Sequence, residues 1–204
     1  KGREMIDFIH RVYPEAVLWD SVFGLGVSNP SVPIHAGVVV WNPSYVEQAA
    51  DVFLYHEGEH LRAFGEAAGR AFDDMDRERM ALAGTSLVDR LEPWSKIFLN
   101  WYEYQGARGE RIFKIMRSNE GLAKAQLPKA FDHRYLTEDV CAGLIPLIEL
   151  LDRYGLPADV CRAVLHLSSS LSGIDLAARA RDLKALGLGG LSDDELKEYM
   201  YRGI

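Results

Sequence analysis

Apolar residues recur along this chain mostly at helical spacing, and rarely with the two-residue alternation of a half-buried strand. Over residues 4–12, Ile6, Ile9 and Val12 fall on one side and predict a short helix. Residues 16–23 are rich in Val, Leu, Trp and Phe and predict an extended segment. Residues 24–33 hold two Gly, two Pro, two Ser and one Asn, the composition of a structured loop. A helix is expected beyond Pro33, from about His35 to Trp41, with Asn42-Pro43 interrupting it. Residues 52–55 form a short β-prone run. A long helix should follow over about 61–83 and close at Gly84. Pro93 suits the first turn of another, running to about Tyr102. Residues 110–117 predict a further helix, and residues 120–132, with Pro128, a connection.

Beyond Asp139 the periodicity sharpens. Val140, Leu144, Leu147, Ile148 and Leu151 make one apolar stripe, which Pro146 should kink. Gly155-Leu156-Pro157 predicts a turn, and residues 158–171 a helix with Val160, Val164, Leu165 and Leu167 inward. Gly187 to Gly190 should end a short helix. Ser192 and Glu195 then have the spacing of a capping box, opening a last helix to about Tyr201. The fold class is therefore mainly α, a multi-helix domain with few or no short strands, these near the N-terminus.

Composition narrows the function. The 204 residues are 48% hydrophobic, enough for a sizeable core. A formal net charge of −7 argues against nucleic-acid binding, which needs clustered cations. The most basic stretch, residues 108–117, spreads its cations among apolar positions and reads as a helix with one solvated face. Cys141 and Cys161 lie inside apolar helical patterns and read as buried free thiols, which fits a reducing compartment. No apolar run is long enough to cross a bilayer, and no secretory leader is visible, so a cytoplasmic protein is expected. The chain begins with Lys, which raises the expectation that it belongs to something longer.

Two motifs suggest chemistry and meet local objections. His56-Glu57-Gly58-Glu59-His60 fits H-E-x-x-H, whose histidines could hold zinc while Glu57 activates water in a hydrolase. Gly58 weakens the helix this requires by about 1 kcal/mol, and the β-prone residues just before it suggest a strand-to-helix turn instead. Glu66 is the available third ligand. Gly24-Leu25-Gly26-Val27-Ser28-Asn29 approximates the dinucleotide fingerprint, but the third Gly is missing and Pro30 and Pro33 obstruct the helix that must receive the pyrophosphate. Ser168-Ser169-Ser170 lies in an apolar helix and is read as packing, with hydroxyls bonded to backbone carbonyls.

The run Arg134-Tyr135-Leu136-Thr137-Glu138-Asp139-Val140 sets a guanidinium and two carboxylates close together. A planar Arg fork suits bidentate capture of a carboxylate. A carboxylate such as Asp139 can orient a histidine, and His35 is available if the fold brings it near. The competing reading of the run is a surface ion pair beside a helix cap.

These segments carry a resemblance. Asn29-Pro30 through His35, Tyr55-His56-Glu57-Gly58, Asp76-Arg77-Glu78-Arg79 and the run from Arg134 to Val140 resemble the C-terminal domain of the octopine/nopaline (opine) dehydrogenases. Gly143-Leu144-Ile145-Pro146, Gly155-Leu156-Pro157 and Leu186-Gly187-Leu188 agree. The likeness covers roughly residues 16–204 and is sharpest from Arg134 onward. It implies a helical domain similar to that of 6-phosphogluconate dehydrogenase. Residues 1–25 would be a linker from a preceding Rossmann cofactor domain, and residues 26–204 the substrate-binding domain. The reaction implied joins an amino acid to a 2-oxo acid and reduces the imine with NAD or NADP, the cofactor being held mainly by the Rossmann domain, and a homodimer is possible. Carried over by position, His35 would be the catalytic histidine, Asp139 its orienting carboxylate and Arg134 the group near the oxo-acid carboxylate. Asn29 would either bond the substrate or hold its loop, and Glu138 would serve a helix N-terminus. Cys141 departs from the family, which often has Pro there. Without a cofactor domain this chain alone is expected to be inactive; a non-catalytic helical dimerisation module is the other alternative.

Overall fold

The structure, a computed structural model, describes residues 2–17, 19, 21–55 and 62–202. Its elements are α1 (Gly2–His10), α2 (Val22–Val27), α3 (Ser31–Val40), α4 (Pro43–Glu47), α5 (Glu66–Met80), α6 (Trp94–Tyr102), α7 (Ile112–Ser118), α8 (Arg134–Thr137), a π turn (Val140–Leu144), α9 (Ile145–Arg153), α10 (Asp159–Ser172) and α11 (Asp193–Arg202). The mainly helical class matches the sequence pattern.

Helix α3 is the centre, packed by α5, α8, the π turn and α10. It is apolar on every side apart from Ser31 and His35, and Ile34, Val38 and Val39 are fully buried. A helix apolar all round belongs in a core. Each of those three side chains contributes roughly 1.5–3 kcal/mol on burial. That total exceeds the roughly 1–3 kcal/mol of one unpartnered polar group, so α3 can carry an imidazole into the interior, provided the imidazole is paired.

Several local expectations are corrected. The extended segment expected over residues 16–23 gives way to α2, because Ser21 caps it: its Oγ accepts from the Gly24 amide at 3.3 Å. Gly24 and Gly26 are therefore helical. Residue 25 lies inside α2, whose Phe23 and Val27 pack on the core. Helix α3 starts before Pro33, not after it, since the third position of a helix needs no amide donor. The β-prone run is extended and paired on both edges: Leu54 donates to the Ala125 carbonyl and Phe64 to the Leu54 carbonyl, each at 2.9 Å. The described residues form only isolated bridges there. Helix α5 begins at Glu66, later than expected. Leu167 is 44% exposed, and Ser168 takes the inward place, its hydroxyl bonded to the Val164 carbonyl at 2.7 Å. The short helix expected to end at Gly187 is instead a 3-10 turn at Ala177–Arg179 followed by irregular chain, which turns at Gly187.

Polar side chains tie the helices together. Glu78 on α5 accepts from the amides of Val160 and Cys161 at 2.7 and 3.0 Å, capping the first turn of α10. Arg79 is fully buried, paired with Asp76 at 2.7 and 2.9 Å and lying 4.7 Å over the Trp94 ring. Asp76 also accepts from the Trp94 amide at 2.8 Å, which fixes the start of α6. The expected capping box forms at the last helix, with Ser192 and Glu195 bonding reciprocally. Cys141 and Cys161 are buried and free.

The stripe beginning at Val140 is bent by a π turn rather than by a simple kink. Pro146 has no amide to offer, and the Ile145 amide reaches back to the Val140 carbonyl. The Cys141 carbonyl is thereby released and accepts from the Arg181 amide at 2.9 Å. Gly143 faces α3 so closely that a Cβ would lie 2.5 Å from both Cγ atoms of Val32. Val32 is stiff about χ1 and cannot swing aside. Gly143→Ala is expected to destabilise the protein by about 1–3 kcal/mol, measured by urea denaturation. A neutral result would mean that the π turn can back away from α3.

Candidate active site

The one imidazole on α3 meets a carboxylate brought from 104 residues away. His35 Nδ1 and Asp139 Oδ2 are 2.8 Å apart, with side chains 23% and 12% exposed. A carboxylate can only accept, so Nδ1 carries the proton and Nε2 is left for another partner. Asp139 lies between α8 and the π turn with helical backbone angles. Residues 134–153 thus run on as one interrupted helix whose inward stripe includes Leu136, Asp139 and Val140.

Tyr135 completes the arrangement. Its ring stacks on His35 at 3.7 Å, with planes 5° apart. His133 also meets Tyr135 edge to face at 4.5 Å. His133 Nδ1 accepts from the Tyr135 amide at 3.3 Å and caps α8. Accepting there requires a neutral imidazole, and burial, then the charges of Arg134 and His35, push the His133 pKa down. Burial, then the nearby Asp139 carboxylate, push the Tyr135 phenol up. His35 is therefore clamped in two directions: Asp139 fixes its edge and Tyr135 its plane.

Arg134 and Asn29 stand apart from this pair. Arg134 is 61% exposed and bonds Glu138 at 3.1 and 3.2 Å. Glu138 is thus engaged by Arg134 rather than by the helix N-terminus expected for it. Helix geometry accounts for the separation: at about 100° per residue, Arg134 and Asp139 are roughly 140° apart, and Tyr135 and Asp139 only about 40°. Asn29 is exposed, and its Oδ1 accepts from the Ser31 amide at 3.1 Å, shaping the entry to α3. Tyr135 and His133 did not figure among the expected site residues. The spacing of four between Tyr135 and Asp139 was the available signal.

His35 and Tyr135 form one wall of a cavity of about 70 Å³. Two wider grooves, of about 580 Å³ beside Tyr199 and about 510 Å³ beside Phe113, touch neither member of the pair. The segment His56 to His60 lies outside the described residues. Among the described residues no three His, Cys, Asp or Glu side chains converge to hold a metal ion. No described helix is long and apolar enough to cross a membrane.

The stack gives an expected outcome. Tyr135→Phe should leave turnover of the complete enzyme within about twofold, and Tyr135→Ala should lower it by up to about tenfold, the weight of an aromatic pair. Steady-state rates check this, and equal losses in both variants would assign the effect to the phenol hydroxyl rather than to the stack.

Comparison with known proteins bears on the family and the fold. An opine dehydrogenase of Arthrobacter sp. (strain 1C) is 29% identical over 188 residues, 92% of this chain and 50% of that protein. The vitopine synthase of Allorhizobium ampelinum is 26% identical over 129 residues, 63% of this chain and 35% of that one. The chain thus spans about half the length, or less, of the curated relatives it matches. An octopine dehydrogenase solved in complex with NADH and agmatine shares the fold with a TM-score of 0.61 at 15% identity, over 93% of this chain and 54% of that one. A second, with NADH and L-arginine, gives 0.55 at 13% identity over 81% of this chain and 46% of that one. With residues 19–172 matching its α-helical domain, the chain belongs to the NAD/NADP octopine/nopaline dehydrogenase family.

Proposed function

We propose that this chain is the substrate-binding and catalytic domain of an NAD(P)-dependent opine dehydrogenase. Such an enzyme acts on a CH–NH bond: it condenses the amine of an amino acid with a 2-oxo acid and reduces the imine. The observation that carries the reading is the His35–Asp139 pair at 2.8 Å, set in a helical domain of this family. Residues 1–25 would be the segment arriving from the cofactor domain and residues 26–204 the substrate domain. The two buried free thiols support a reducing, cytoplasmic setting.

The described residues do not fit a dinucleotide. Gly24 and Gly26 lie within α2, and no strand feeds a glycine-rich turn. Cofactor binding therefore falls to a companion domain, and this chain supplies binding and proton chemistry. His35 Nε2 would hold or release the proton exchanged as the oxo carbon becomes an imine and then an amine. Asp139 would keep the proton on Nδ1 and so fix the tautomer. Arg134 would exchange its exposed partner Glu138 for the oxo-acid carboxylate, an exchange that costs little because exposed ion pairs contribute under about 1 kcal/mol. The bond from Ser31 to Asn29 supports the loop-holding role for Asn29.

The test uses the enzyme complete with its cofactor domain. Oxidation of NADH or NADPH should require an amino acid and a 2-oxo acid together. Oxidation with the oxo acid alone, or with ammonia in place of the amino acid, would overturn the reading.

A further inference from the structure

We propose that His133 is a positioning residue and a pH-sensitive latch: as a neutral imidazole it holds Tyr135 against His35, and on taking a proton it lets Tyr135 go. The inference rests on the reading of His35 as the group that handles the proton of the reaction.

Geometry comes first. Two contacts run from His133 to Tyr135. Its Nδ1 accepts from the Tyr135 amide at 3.3 Å, and its ring meets the phenol ring edge to face at 4.5 Å. Tyr135 in turn stacks on His35 at 3.7 Å. One imidazole thus holds both the backbone and the ring of the residue that sets the plane of the other. His133 is half-buried, so solvent protons reach it.

A proton undoes the first of these contacts. A protonated imidazole donates from both nitrogens, and Nδ1–H would then face an amide N–H. Helix α8 has only four residues and His133 is its N-cap, so the freed amide lies in its single turn. A cation at that end of a helix is also badly placed. Burial opposes the proton most, followed by Arg134 beside it and His35 on α3, while Asp139 and Asp132 favour it. The balance pushes the His133 pKa below its usual 6.5.

The sign follows from that direction. A released ring regains its ordinary affinity for the proton, so the released state binds it more readily than the latched one. The latch is at full strength above about pH 6.5 and weakens as the pH falls below it, by at most about tenfold per pH unit. Where the latch opens, the ring of Tyr135 no longer fixes His35, and turnover falls toward that of Tyr135→Ala.

The experiment measures kcat of the complete enzyme at pH 7 and pH 5 for the unaltered protein, His133→Asn and His133→Ala. An Asn oxygen accepts the Tyr135 amide at either pH, so it keeps the cap without titrating. The ratio of unaltered to His133→Asn kcat should fall at least about threefold from pH 7 to pH 5. Contributions from substrate and from His35 are common to both enzymes and cancel in that ratio. At pH 7, His133→Asn should exceed His133→Ala by at least about twofold. A smaller fall in the ratio, or an Asn variant no better than the Ala variant, would overturn the latch and leave opine formation standing.

Ring signals of the unaltered enzyme, followed by NMR as the pH is lowered, give a second reading that needs neither turnover nor a variant that folds. The Tyr135 ring should shift with the same midpoint as His133, below 6.5. A Tyr135 ring that stays still while His133 titrates overturns the latch. No turnover with any amine and oxo acid would instead remove the opine reading, and the NMR titration would then decide the latch by itself.

Discussion

His35→Ala is expected to lower kcat of the complete enzyme by about 10²–10⁴-fold, the usual weight of a positioned general acid–base group. The magnitude follows from where the histidine sits. Its Nδ1 is committed to Asp139, and its ring is pressed flat against Tyr135. Among the described residues lining the cavity, no other group is held this way. His133, a second imidazole in contact with Tyr135, spends its own Nδ1 on the cap of α8. Asp139→Asn should lose a similar factor, because an amide can present its NH₂ to Nδ1 and so favour the wrong tautomer. Both losses should fall on kcat more than on KM, since neither side chain supplies the charge that captures a carboxylate. Steady-state kinetics with saturating NAD(P)H decide the matter. Unchanged turnover in His35→Ala would take this residue out of the chemistry.

Asp76→Ala should cost about 3–5 kcal/mol of folding stability, the largest stability effect expected of a single substitution here. Arg79 is buried to 0% exposure, and Asp76 is the carboxylate that compensates it. The same carboxylate receives the Trp94 amide that begins α6. Truncating it strands a guanidinium in the core and releases a helix start together. Replacing the pair outright, by Asp76→Leu with Arg79→Met, should be far milder, because no unpaired charge is left behind. Urea denaturation of the two variants separates these outcomes. A loss below about 1 kcal/mol for Asp76→Ala would show that water reaches Arg79 in the folded protein.

Much of the helical plan was legible from periodicity, because the C-terminal half writes its core face at regular spacing and marks its ends with Gly, Pro and a capping box. What misled were local propensities that caps and packing override. Val22 and Phe23 read as strand residues, yet the hydroxyl of Ser21 commits them to a helix. Pro33 reads as a barrier, yet at the third position of α3 it breaks no bond. The site was legible in part. His35 and Asp139 could be paired from their chemistry and from family likeness, although nothing local joins positions so far apart. Tyr135 was overlooked, although its spacing of four from Asp139 puts the two on one face of the helix. Arg134 reads as a carboxylate clamp from its fork chemistry and family likeness; the turn of the helix sets it about 140° from Asp139, where it bonds Glu138. The π turn was not readable either, since Pro146 announces a disturbance without specifying its form.

The distance along the chain between His35 and Asp139 has a consequence for how activity is acquired. Contacts that close long loops form late, after the local helices exist. A protein refolding from urea should therefore regain ellipticity before it regains turnover. Activity in this enzyme is then a readout of completed assembly, and partly folded or nicked molecules stay silent.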